Sequence, residues 1–475
     1  MCPIDDGGGC TRPQKSRPRW HVQPVPRRAH HPRLRQRHRR RDVHDRGAGW
    51  QRRRCDRNRR RTSGPITPGT EGDAAGSAVR TAQDGGDLEQ RTYELTGEKW
   101  FCSNIDAQAT LTLARRPDAP DGTNGLSLFL VPHELPSGGL NDQRYRRLKD
   151  KLGTKSVPTG EVELDGTTGY LVGEPERGFK YMTTMLNWER VTNAVGAVGI
   201  IGRLLLESKI QAATREAFGQ PIQEFPLMQR DLVEMAVDHE ATLAFAMESA
   251  RCLDRYERDH DDENAFRLMR LFAPVSKHVT TRTAVETASY AMEIQGGNGY
   301  VDDFVTNRLY RDVQALPIWE GTANILALDV LRAMESEAAH EALIPYVTGR
   351  LDGVTHPFLD PLRETVASEF EELQAALLEL AVAEDDTAQY AAKDVAEYIY
   401  DVVTAALLLE RAQDHLDDGD ARKAVVANLF VDRTLTPQSS SRIQTDTTPA
   451  MEFFDAIVRY DSLDETAVPD TPFST

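Results

Sequence analysis

The chain has 475 residues, 57 of them Lys or Arg and 74 Asp or Glu, for a net charge of −17. That length allows two or three domains with a sizeable core and excludes a peptide or a disulfide-stapled miniprotein. Five Cys without a CxxC spacing argue against a disulfide framework and a metal site. No uninterrupted apolar run approaches the roughly 20 residues of a membrane helix, and the N-terminus lacks the apolar core of a signal peptide. A soluble, cytoplasmic protein without membrane contact is expected.

The charge is unevenly placed. Residues 1–65 hold 20 basic and 5 acidic residues, whereas the rest of the chain holds 37 basic and 69 acidic. Only 10 of the basic residues are Lys. An acidic, Lys-poor surface stays hydrated in concentrated salt, where charge is screened, so the composition reads as halophilic.

Residues 1–65 show no apolar periodicity and carry 19 Arg, in runs such as RHRRRD and QRRRCDRNRRR. Such a segment buries no core and is expected to be disordered. It is either a basic arm for nucleic acid or, the reading we favour, a stretch translated out of frame from a GC-rich gene. Residues 44–58 (HDRGAGWQRRRCDRN) can be back-translated so that the neighbouring frame reads MTEAQGGSDVGATE.

Residues 66–178 form the next unit. From residue 91 on, TYELTGEKWFCSN, TLTLARR, GLSLFLVP and TGEVELDG alternate with Pro-Asp, Asp-Gly and Ser-Gly-Gly turns, the pattern of a small β domain. After the turn at 173–178 the apolar spacing becomes helical. Segments 180–214, 224–256, 263–291 and 320–335 have the length of bundle helices, which places a four-helix bundle over 179–336. Residues 337–432 read as an additional helical region and 433–475 as a polar, mobile tail. The expected fold class is α+β: a small middle β-barrel, a four-helix bundle, and an extra C-terminal helical region.

Four blocks exceed what a bland globular fold requires: GEKWFCSN at 97–104, REAFGQPI at 215–222, EIQGGNGY at 293–300 and RLYRDVQALPIWEGTANI at 308–325. In this order they resemble the flavin-dependent acyl-CoA dehydrogenase family, from about residue 91 to 335. The out-of-frame MTEAQGGSDV fits too, because the family carries such a segment shortly before its Lys-Trp-Phe block. LFAPVSKHV at 271–279, IWEGTANILALDVLRAM and the extra C-terminal helices look like the adaptive-response branch connected with alkylation protection of DNA.

The resemblance implies FAD as cofactor, an acyl-CoA substrate and a 2,3-enoyl-CoA product. It implies electron transfer to an electron-transfer flavoprotein and assembly as a homotetramer or homodimer. Glu320 matches the family's catalytic base, and a desolvated Glu with raised pKa suits removal of a weakly acidic α-proton. Arg215 matches a contact to the FAD pyrophosphate, where a guanidinium offers two donors, with Phe218 and Gln229 following it. Gly296 and Gly297 match positions that meet the dinucleotide from a neighbouring subunit. Thr322 and Asn324 match flavin contacts, as do Phe101 and Ser103 in the β domain, while the role of Trp100 is open. Arg190 falls near the family's substrate entrance.

Two alternatives stand beside this reading. One is a flavin-binding DNA-protection protein with little dehydrogenase activity; the other is an inactive product lacking the family's N-terminal helical domain. Residues 337–475 hold 9 basic and 28 acidic residues, a surface that repels phosphate and argues against DNA contact.

Overall fold

The computed structural model describes residues 78–81, 91–436 and 451–468. The expectations for the Arg-rich segment 1–65 lie outside these residues.

Six strands build the β domain: β1 Ala78–Thr81, β2 Thr92–Cys102, β3 Ala109–Arg115, β4 Leu126–Pro132, β5 Gln143–Leu148 and β6 Gly160–Val172. Their order is β2-β1-β3-β4-β6-β5, and β2 also pairs with β6, so five strands close into a ring with β5 as an added edge on β6. Closure follows from the length of β6, whose 13 residues pair with β2 on one side and with β5 and then β4 on the other. A register shift between Leu95 and Thr96 supplies the bend such curling needs. Alternate residues point inward, and Tyr93, Leu95, Phe129, Val131, Val162 and Leu164 form the barrel core.

Helix α1, Gly178–Thr214, leaves the barrel at once. A Cβ at Gly178 would lie 2.4 Å from the backbone of Ser127 and Leu128, so only glycine lets the helix start press on β4. A two-residue turn between the short strands β7, Glu216–Ala217, and β8, Gln220–Pro221, follows; then come α2 Pro226–Arg258, α3 Glu263–Gln295, α4 Val305–Val313 and α5 Ala323–Glu337. Helices α1, α2, α3 and α5 match the expected bundle segments; the nine-residue α4 was not expected. By length and composition α1 could cross a membrane, although no continuous apolar run was visible in the sequence; half of its most apolar window is buried inside the protein, as in the central helix of a bundle.

The C-terminal helices α6 Ala339–Gly353, α7 Asp360–Ala381, α8 Asp385–Asp417 and α9 Arg422–Thr434 share one continuous apolar core with the bundle. Buried ion pairs fix the join. Glu248 of α2 accepts from Tyr346 at 2.6 Å and Arg350 at 3.0 Å, and Glu240 of α2 is paired with Arg422 and Lys423 of α9. The tail departs from expectation. Residues Phe454–Arg459 form α10, with Phe453, Phe454 and Ile457 buried, and Arg422 donates to the carbonyls of Ala456 and Ile457. Residues 437–450 and 469–475 lie outside the description.

Candidate active site

Glu320 stands between α4 and α5, in the left-handed region at φ 49°, a conformation uncommon for a residue with a Cβ. Such a backbone persists only where its surroundings over-determine it, and here they do. Lys277 of α3 donates to the carbonyls of Trp319 and Gly321, and Arg190 Nε of α1 donates to the Glu320 carbonyl at 3.1 Å. Arg190 is held in turn by Asp329 of α5, which also accepts from Arg270 at 3.2 Å. The two guanidiniums hold the Asp329 carboxyl below its usual range although burial opposes them.

The Glu320 side chain accepts from Asn193 Nδ2 at 2.5 Å, and the same amide donates to the Leu316 carbonyl at 3.2 Å. Its pKa is pushed up to about 7, chiefly by burial and further by Glu189, against the lowering effects of Asn193, Lys277 and Arg190. Burial raises Glu189 as well. A carboxyl poised near neutrality has the protonation behaviour of a general base.

Arg190, expected near a substrate entrance, is 6% exposed and donates to Asp329 and the Glu320 carbonyl. Thr322 and Asn324 are exposed at the start of α5, Thr322 as its N-terminal flanking residue. Phe101, 55% exposed, and Ser103 lie at the end of β2 and in the turn after it. Lys149 Nζ sits 3.2 Å above the Trp100 ring and 4.7 Å from that of Phe101. From Lys149 the chain runs to Thr154, whose N–H donates to Asp312 of α4 at 2.5 Å. A Cβ at Gly153 would fall 2.1 Å from the Arg311 carbonyl. One short loop therefore ties the aromatic edge of the barrel to the segment that leads into Glu320.

The other residues gather elsewhere. Arg215 ends α1, and Phe218 and Gly219 form the tip of the β7–β8 turn with φ 52° and 95°, left-handed values typical of a two-residue hairpin. Phe218 is 98% exposed and meets Phe225 edge to face at 6.2 Å, while the Gln229 N–H donates to the Phe225 carbonyl. Gln295 Nε2 reaches the Glu207 carbonyl at 3.0 Å, which brings Gly296 and Gly297 beside the same end of α1. Both glycines are exposed, and a Cβ on either would meet open space. At 1.5 Å per residue, the 22 residues from Asn193 to Arg215 put this second group about 30 Å along α1 from Glu320. Within one chain the structure therefore unites Glu320, Arg190, Thr322 and Asn324, and separately Arg215, Phe218, Gln229, Gly296 and Gly297.

Asn193, Glu189, Lys277 and Asp329 did not emerge from the sequence as site residues. Asn193 lies one helical turn beyond Arg190, and Lys277 is a rare lysine inside an apolar run; those were the available signals.

The middle-domain model of the acyl-CoA dehydrogenases matches residues 68–167, and their C-terminal-domain model matches residues 176–335. The acyl-CoA dehydrogenase family member 11 of Caenorhabditis elegans is 35% identical over 337 residues, which cover 69% of this chain and 55% of that protein. The putative acyl-CoA dehydrogenase AidB of Escherichia coli is 36% identical over 251 residues, covering 53% and 44%. The crystal structure of C. elegans ACDH-11 in complex with C11-CoA superposes with a TM-score of 0.72 at 31% identity, covering 78% of this chain and 64% of that one. The chain spans about half the length of the curated relatives it matches. Its middle barrel and helical bundle are those of the acyl-CoA dehydrogenases, and the chain belongs to that family.

Proposed function

We propose that the chain works as an FAD-dependent acyl-CoA dehydrogenase, taking an acyl-CoA thioester to the 2,3-enoyl-CoA with Glu320 as base. The observation that carries this reading is the Glu320 carboxyl, pushed up to about 7 and held by Asn193 on a backbone anchored at three carbonyls. At neutral pH about half of such carboxyls are ionised and ready to accept a proton. Asn193 keeps one carboxylate oxygen in place, so the other is left for the substrate α-proton. FAD, when bound, supplies the acceptor for the β-hydride.

The residues fit that cofactor. Phe101 and Phe218 offer exposed aromatic faces, Arg215 an exposed guanidinium suited to a pyrophosphate, and Gly296 and Gly297 backbone open to close approach. Thr322, Asn324, Phe101 and Ser103 would hold the end beside Glu320. The separation of about 30 Å along α1 supports a site completed by a second copy, with Arg215, Phe218, Gln229, Gly296 and Gly297 serving the partner's cofactor. We therefore propose a homodimer or homotetramer, an electron-transfer flavoprotein as acceptor, and the cytoplasm as compartment. The acidic C-terminal region favours no nucleic-acid role.

The test is to purify the protein with added FAD and follow flavin absorbance near 450 nm on mixing with acyl-CoAs of graded chain length. Bleaching by the wild type and none by Glu320→Gln is the expected pair of results. Failure to retain FAD, or equal bleaching by the variant, would refute the proposal.

A further inference from the structure

Lys277 is wholly buried in the middle of α3, where an ammonium is tolerated only if its donors are matched. Its Nζ donates to the carbonyls of Trp319 and Gly321, the two that flank Glu320, the latter at 2.5 Å. The carbonyl between them accepts from Arg190 Nε at 3.1 Å. Three successive carbonyls thus turn toward two cations borne by two different helices, in a stretch where neither a helix nor a strand ladder takes them up. The left-handed Glu320 is the residue these bonds enclose.

We infer that Lys277 is a positioning residue for the base: by gripping the backbone on both sides of Glu320 it fixes the side chain against Asn193 and sets the charge that the carboxyl meets. The inference rests on the reading of Glu320 as the base. Arg190 of α1 is braced by Asp329, whereas Lys277 reaches the segment from α3. The groups that face Glu320 are Glu189, Arg190 and Asn193 from α1 and Lys277 from α3, with Arg270 and Asp329 behind Arg190. Lys277 and Arg190 favour the ionised carboxylate, and Glu189 opposes it.

Two roles can be told apart. A lysine that only satisfied carbonyls would, on replacement, lower stability and leave the ionisation of Glu320 alone. A positioning lysine moves that ionisation. The experiment labels glutamate carboxyls with 13C and isolates Glu320 by difference from Glu320→Gln, then titrates wild type and Lys277→Met, which keeps the length of the stem. The Glu320 midpoint should rise by about one pH unit in Lys277→Met. The acid limb of acyl-CoA dehydrogenation should rise with it, giving about a fivefold loss of rate at the wild-type midpoint. A folded Lys277→Met with an unmoved midpoint overturns the inference. Should that variant not fold, the wild type still decides: with 10 lysines in the chain, the 15Nζ resonance of Lys277 can be followed. It should shift through the Glu320 midpoint, and a signal flat across that range overturns the inference. The base reading fails separately, if Glu320→Gln retains turnover with the wild-type acid limb; the carboxyl and ammonium titrations do not depend on turnover.

Discussion

At the scale of single residues, the site is defined by what burial costs a carboxyl and what its neighbours return. Glu320 has a folded pKa of about 7 against an ordinary 4.5. The folded state therefore binds more protons than the unfolded chain between those values, so stability falls as pH rises through that window and stays reduced above it. Asp401 carries a like shift, from burial beside Glu397, and acts in the same window. Glu320 is thus isolated by comparison with Glu320→Gln, which should be more stable than wild type at pH 8 by about 1–2 kcal/mol and equal to it below pH 4. Urea unfolding at the two pH values reads this directly; an equal effect at both would mean that Glu320 ionises normally. Asn193→Ala removes the donor that favours the charged form, so the acid limb of activity should move up and the rate at pH 7 drop about tenfold. A pH–rate profile that keeps its wild-type limb would contradict that role.

At the scale of elements, strongly periodic segments were legible and short or side-chain-determined ones were not. Helices α1, α2, α3 and α5 followed from apolar residues at helical spacing, and the barrel strands from alternation bounded by turns. Helix α4 is hard to read because its nine residues, VTNRLYRDV, make only about two and a half turns, too short to stand out beside the long helices although Val305, Leu309 and Val313 share one face. Helix α10 is equally hard to read from sequence: Phe453, Phe454, Ile457 and Val458 make a stripe of barely one turn, and its anchor, Arg422, lies more than 30 residues away. Glu320 could be found from its motif. Asn193 and Lys277 act on a carboxylate and on carbonyls brought close only by the fold, and no spacing in sequence announces such partners.

The anchoring of α10 gives a prediction at this scale. Ile457→Ala should destabilise the protein by about 2–4 kcal/mol, the cost of a buried cavity, which a loose tail would not show. Removing the carboxylate in Glu240→Ala leaves Arg422 and Lys423 facing each other without it and should cost about 3 kcal/mol. Denaturant midpoints measure both, and values near zero would mean that the C-terminal segment does not pack on α2.

At the scale of the whole molecule, the division of the residues proposed to hold FAD into two groups about 30 Å apart along α1 decides what one chain can do alone. Phe218→Ser alters only the tip of an exposed turn, so it should leave the unfolding midpoint within about 0.5 kcal/mol of wild type. In a two-copy site it should nevertheless lower FAD retention, and mass photometry of the wild type should show a dimer or larger assembly. A strictly monomeric protein that holds FAD fully with Ser at 218 would rule out the shared site.

If Glu320 removes the substrate α-proton, isotope exchange reads that step apart from electron transfer. Acyl-CoA incubated with the FAD-loaded protein in D2O and analysed by mass spectrometry should gain deuterium at the α-carbon. The rate should rise with pD to a plateau, with a midpoint near 7, and Glu320→Gln should show no exchange above the uncatalysed background. Exchange of equal rate in Glu320→Gln would show that another group is the base and that the anchored carboxyl serves some other purpose.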